Sequence, residues 1–195
     1  MAAIETAVLD ANVIFRGALR DFLLSVAEWD AFLPAWSEAI HAEWMRNRFQ
    51  VYGDPSERLA NTRDRMEVAF PGACMEPDPT VLADVLSRCV SDGERKDAHV
   101  VMTAVVAEAT TIVTFDGAHF PPRILDRYKL RSERPDAFCA RLCTERTDAF
   151  VAGVRAQRAR LRRPERDPEE FLRHLAEAVG MTATADLLRP HVRRL

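Results

Sequence analysis

Thr110-Thr111-Ile112-Val113-Thr114-Phe115-Asp116-Gly117 is the stretch from which the fold follows. β-branched and aromatic residues fill its first six positions, the composition of a strand, and Asp-Gly closes it as a turn. Upstream, a helix begins near Asp97 and carries Val100, Val101, Ala104, Val105 and Ala107. A helix that leads straight into a strand is the second half of a crossover between parallel strands. The first half must lie earlier in the chain.

It begins at Ala7-Val8-Leu9, which runs into Asp10-Ala11-Asn12-Val13-Ile14-Phe15. A short apolar run without alternation suits a strand covered on both faces. Residues 17–29 place apolar side chains at 19, 22, 23, 26 and 27, a helical spacing. Phe32-Leu33-Pro34-Ala35-Trp36 reads as a second strand, and Ser37 as the N-cap of a helix through Ile40, Glu43 and Trp44 toward Phe49. Further helices are expected over 56–69 and 80–89, and a polar turn over Ser91–Lys96. The expected fold is α/β: a parallel sheet flanked by helices in three layers, α/β/α, over residues 1–132. From 133 onward no strand-like run occurs. Residues 133–195 therefore read as an all-helical extension with helices at about 135–142, 144–162 and 168–188. Asp167 caps the last of these, with Pro168 at its first position.

The composition fits that picture. The chain has 195 residues, 48% hydrophobic and 29% charged, enough for a core without disulfides. Its four cysteines show no paired zinc spacing, so they read as buried free thiols of a reducing compartment. There is no leader-like start and no run of about 18 apolar residues, so the expectation is cytoplasmic, with no membrane span. A net charge of −3 gives no overall attraction to nucleic acid, and any polyanion surface must be local.

The acids carry the chemistry. Ligands of an open parallel sheet collect outside the carboxyl ends of its strands. Asp10 ends one strand, Asp116 follows another, Asp97 opens a helix at that same edge, and Glu43 lies one or two turns into a helix that follows a strand. Taken singly, each has an ordinary explanation: a turn, an N-cap, a solvated face. Together they form a carboxylate cluster, which needs a cation to offset its self-repulsion. Hard oxygen ligands without an accompanying His or Cys favour Mg²⁺ or Mn²⁺ and suit phosphodiester cleavage. Asn12 is placed to hold Asp10 or a metal-bound water. His99 reads as a helix residue near the site, and Asp92 as a turn residue before an outer acid.

Val8-Leu9-Asp10-Ala11-Asn12-Val13 resembles the opening motif of PIN-domain nucleases, which include VapC-type toxins. Ser37 with Glu43 resembles the second acidic motif of that family, Asp97–Ala104 the third, and Ile112–Asp116 followed by His119-Phe120-Pro121 the fourth. The resemblance spans about residues 6–122, in the family's order. It implies a PIN-like fold and a metal-dependent ribonuclease that hydrolyses RNA phosphodiester bonds. Asp10, Glu43, Asp97 and Asp116 would be both catalytic and metal-holding, with Asn12 and Thr114 in support. It also implies the toxin of a toxin–antitoxin pair, with an antitoxin partner and frequent homodimers. The tail after 133 resembles the helical extension of one VapC-like subgroup.

Arg155, Arg158 and Arg162 form a stripe that reads as an RNA-tracking surface, a dock for an acidic partner or a solvated face. Trp29, Trp36 and Trp44 read as packing residues before stacking platforms. Other chemistries lack their residues. A haloacid-dehalogenase-like phosphatase needs a second Asp where this chain has Asn12. None of the seven glycines builds a phosphate loop, and no Gly-x-Ser-x-Gly elbow exists. The competing reading is a PIN scaffold kept as a protein- or RNA-binding module without catalysis.

Overall fold

The computed structural model describes residues 3–161 and 165–195. The apolar run before Asp10 forms β1 (Thr6–Leu9) and passes at once into the one-turn helix α1 (Ala11–Ile14). Then come α2 (Gly17–Ala27), β2 (Leu33–Ser37), α3 (Glu38–Tyr52) and α4 (Ser56–Ala69). Gly53 ends α3 at φ 66°, a left-handed position that a side chain would strain. β3 (Cys74–Met75), α5 (Pro79–Arg88), α6 (Asp92–Lys96), α7 (Ala98–Val106) and β4 (Thr111–Val113) follow. α8 (Pro122–Leu125) leads on to β5 (Arg131–Glu133).

The strands form one sheet in the order β3-β2-β1-β4-β5, and every pairing is parallel. Ala7, Val8, Leu9, Ile112 and Val113 are completely buried, as strands covered on both faces require. The chain winds outward from β1 through β2 to β3, then returns to place β4 on the other side of β1. β1 and β4 therefore flank the point where the winding reverses, the position at which open parallel sheets form a crevice at the carboxyl ends of their strands. The α/β class read from the sequence is the one observed: a five-stranded parallel sheet flanked by helices, and a helical C-terminal region.

Four details differ from expectation. β3 and β5 are strands of two and three residues, too short to leave a pattern in composition. The expected polar turn at Ser91–Lys96 is the helix α6, because Ser91 and Glu94 form a reciprocal capping box. The long last helix is two, α11 (Pro168–Glu177) and α12 (Thr182–Leu188), after α9 (Pro135–Glu145) and α10 (Thr147–Arg160). Gly180, at φ 80°, breaks it. Asp167 does cap α11, accepting from Glu170 N at 2.9 Å.

The chain divides into two compact units. The sheet unit comprises Glu5–Phe15 and Leu33–Glu133, and the helical unit is built from Arg16–Phe32 and Arg134–Leu195. The sheet unit ends at Glu133, and residues 16–32 group with the C-terminal helices. Within the helical unit, Gly153 explains why: a Cβ there would stand 2.6 Å from Val26 Cα and 2.7 Å from Ser25 O, so α10 lies flush on α2. Edge-on aromatic pairs, Phe22 with Phe150 and Phe32 with Phe138, close the same core. Asp136, at the start of α9, accepts from the backbone N of Ala183 and Thr184, both at 2.9 Å, and so caps α12. Among the described residues, no helix is long and apolar enough to cross a membrane.

Candidate functional site

The crevice between β1 and β4 is furnished by the two residues that follow them. Asp10, 4% exposed, caps α1 by accepting from Ala11 N at 2.6 Å. Its other oxygen accepts from the Thr114 hydroxyl at 2.6 Å and from Asn12 Nδ2 at 2.7 Å. Asn12 Nδ2 also reaches Thr114 Oγ1 and Asp116 Oδ2, each at 3.1 Å, while its carbonyl accepts from Phe115 N at 3.2 Å. Thr114 Oγ1 accepts in turn from Asp116 N at 3.0 Å. Asp10 and Asn12 are thus joined to Thr114 and Asp116, about a hundred positions later, in one hydrogen-bonded group.

Asp97 and Glu43 approach from other elements. Asp97 stands between α6 and α7 and makes no cap hydrogen bond; its carboxylate accepts instead from His119 Nδ1 at 2.7 Å. The His119 ring lies directly on Gly93, where a Cβ would come within 2.7 Å of it. Glu43, on α3, pairs with Lys96 Nζ at 3.1 Å. Burial, and then the charges of Asp97 and Glu43, push the Asp10 carboxyl up to about 6 against the hydrogen bonds from Thr114 and Ala11. The same acids hold the Lys96 ammonium charge: its bond to Glu43 leads, and the fields of Asp97 and Asp10 add to it.

Lys96, His99 and His119 are the members the motifs left without a role. His99 Nδ1 lies 2.9 Å from the Lys96 carbonyl, so Nδ1 carries the proton and donates. Its Nε2 is buried without a hydrogen-bond partner, 3.7 Å from Glu43 Oε2. No periodicity reveals such a role; only the fold back of α7 over the chain does. Ser37 Oγ is also buried without a partner, and continuing the β1–β2 register by two residues sets Ser37 beside Asp10. Asp92 is exposed at the first position of α6, in a helix where a turn was expected.

No three of the four acids bring carboxylate oxygens within 4.8 Å of one another. Among the described residues, the group that brings three metal-capable atoms within 4.8 Å is another one: His41, Glu67 and Cys74. Its hydrogen bonds argue for structure. Trp44 Nε1, which can only donate, lies 2.8 Å from His41 Nδ1, so the proton of His41 sits on Nε2 and points to Glu67 at 2.9 Å. Glu67 also accepts from Trp36 Nε1 at 2.7 Å. A metal on Nε2 would drive the proton to Nδ1, against the Trp44 N–H. Trp36 and Trp44 are packing residues, completely buried; Trp29 is not, being 49% exposed.

Two members of the arginine stripe, Arg155 and Arg158, lie among the described residues. Arg155 is exposed, but Arg158 donates to the carbonyls of Leu195 at 2.8 Å and Arg166 at 2.9 Å, and so ties down the tail. Arg162 lies outside the described residues. Against known proteins, no curated relative and no solved structure matches the chain. Residues 135–190, the greater part of the helical region, match the family model described as the VapC50 C-terminal domain, a VapC-type likeness confined to that stretch.

Proposed function

We propose that the crevice at the ends of β1 and β4 is the active site of a metal-dependent endoribonuclease, and that the chain is the toxin of a toxin–antitoxin pair. The observation that carries the reading is Asp10: a buried carboxyl at the switch point of a parallel sheet, raised to about 6 by burial and by two neighbouring acids. An arrangement that unfavourable in isolation is stabilised when a cation enters it. The VapC50-type match over 135–190 supports the toxin assignment and, with it, an antitoxin partner.

The residues suit a hydrated hard cation. The carboxylates stand too far apart for three of them to ligate one ion directly, and Mg²⁺ keeps several waters and takes only one or two carboxylates. Asp10 and Asp97 would hold Mg²⁺ or Mn²⁺, with Glu43 and Asp116 reached through water, and the ion would supply Lewis acidity toward the phosphodiester. Asn12 and Thr114 keep Asp10 ionised and aimed. Ser37 Oγ and His99 Nε2, both without partners, remain available to a bound water or to substrate. Lys96, its side chain 62% exposed beside Glu43, offers a positive charge to a backbone phosphate.

One observation favours the non-catalytic scaffold: Lys96 already neutralises part of the acid cluster, and His119 hydrogen-bonds Asp97, without any metal. The readings part in one experiment. Total RNA incubated with the protein and Mn²⁺ is mapped for new 5′ ends, wild type against Asp10→Asn and Asp97→Asn. Discrete sites lost in both variants support the nuclease; the same sites in all three proteins, or none in any, refute it. Growth arrest on expression, relieved by co-expressing a cognate antitoxin, tests the toxin role separately.

A further inference from the structure

The helical unit carries a cavity of about 520 Å³ that neither the crevice nor the motifs account for. That is within the roughly 300–1,000 Å³ of clefts that hold small ligands. Trp29, just past α2, forms one wall; Arg155 on α10 and Arg193 and Arg194 near the C-terminus form the rim. Ala152 and Ala156, one turn apart on α10, leave the floor low. The Trp29 indole is half exposed and its N–H has no partner among the described residues.

The charge is unbalanced. Arg194 is shared with Asp148 at 2.7 Å, and nearby Glu28 is taken by Arg160 at 2.5 Å. Arg155 and Arg193 pair with no acid among the described residues, in a chain whose net charge is −3. An exposed aromatic face between unpaired guanidinium groups matches one ligand chemistry above others. A base can stack on the ring while flanking phosphates meet the arginines. An acidic peptide would satisfy the arginines but leave the indole without a matching group.

We propose that this groove binds single-stranded RNA, with Trp29 as the stacking platform and Arg155 and Arg193 as phosphate contacts. That the strand is also the substrate rests on the nuclease reading; the groove itself does not. Bound to the helical unit, the strand would contribute to which transcripts are cut.

The test uses full-length Asp10→Asn protein in chelator, titrated with a short single-stranded oligouridylate. Trp36 and Trp44 are buried and hydrogen-bonded, so quenching of tryptophan fluorescence on binding reports Trp29. The expected result is saturable quenching and, by fluorescence anisotropy of the same oligouridylate carrying a dye, affinity about tenfold weaker after Trp29→Ala. Arg155→Ala should also weaken binding and reduce the log–log salt slope by about 0.7. Unchanged affinity in both variants, each with an unaltered melting transition, overturns the proposal. So does binding of polyglutamate in place of RNA. If quenching holds while wild-type protein with Mn²⁺ cuts no RNA, the groove stands and the nuclease reading falls; cleavage without quenching gives the reverse.

Discussion

The Thr114 hydroxyl donates to Asp10 Oδ2 at 2.6 Å and thereby joins the residue after β1 to the residue after β4. Thr114 Oγ1 also accepts from Asp116 N and Asn12 Nδ2, so one side chain serves three others. Thr114→Val keeps the shape and removes all three bonds. It should cost about 1–3 kcal/mol in chemical denaturation, because buried polar groups lose their partners. Cleavage should fall by about 10- to 100-fold, the usual effect of losing a residue that orients a metal-holding one. Wild-type stability and rate in Thr114→Val would show that the group is not coupled.

Asp10 also sets a pH dependence. Its folded pKa of about 6 lies above the ordinary 3.8, so between those values the folded state binds the proton more tightly than the unfolded state. The destabilisation is fully present above about pH 6 and disappears as pH falls toward 4, with a ceiling of about 3 kcal/mol. In chelator, wild type should therefore gain stability relative to Asp10→Asn as pH is lowered from 7.5 to 4.5. Saturating Mn²⁺ should abolish that gain by favouring the carboxylate. Parallel stability curves for the two proteins in chelator would contradict this.

Lys96 neutralises Glu43 and lies in the fields of Asp97 and Asp10. Lys96→Met leaves the acids with more repulsion, so the metal-free protein should lose stability, by no more than about 1 kcal/mol for so exposed a side chain. The rise in melting temperature on adding Mn²⁺ should widen accordingly. A narrower rise would mean that Lys96 assists the cation and does not substitute for it.

Gly153 tests the helical unit. Its absent Cβ is what allows α10 to lie on Val26 and Ser25, backbone atoms that cannot rotate away. Gly153→Ala should cost about 1–3 kcal/mol by overpacking. Wild-type stability by circular dichroism melting would refute the close approach.

How much of this was legible in the sequence follows from what each residue depends on. Asp10 and Asp116 could be found because strand ends mark their own positions. Asp97 and Glu43 were placed by following helices back to that edge. The pairing of Asp97 with His119 left no local trace, because it depends on how α6 sets Gly93 under the imidazole ring. β3 and β5 escaped because two or three residues carry no periodicity. The grouping of residues 16–32 with the C-terminal helices rests on the missing Cβ of Gly153, a contact between segments far apart in the chain. Arg158 looked like a surface residue by spacing, yet its guanidinium meets the Leu195 and Arg166 carbonyls.

In the proposed nuclease, Asp10 and Asp97 share one divalent ion. Mn²⁺ binding followed by electron paramagnetic resonance measures that directly, on wild type, Asp10→Asn and Asp97→Asn at neutral pH. Saturable binding in the wild type, lost or greatly weakened in each variant, is the expected result. Equal binding in all three proteins, or none in the wild type, would contradict the account.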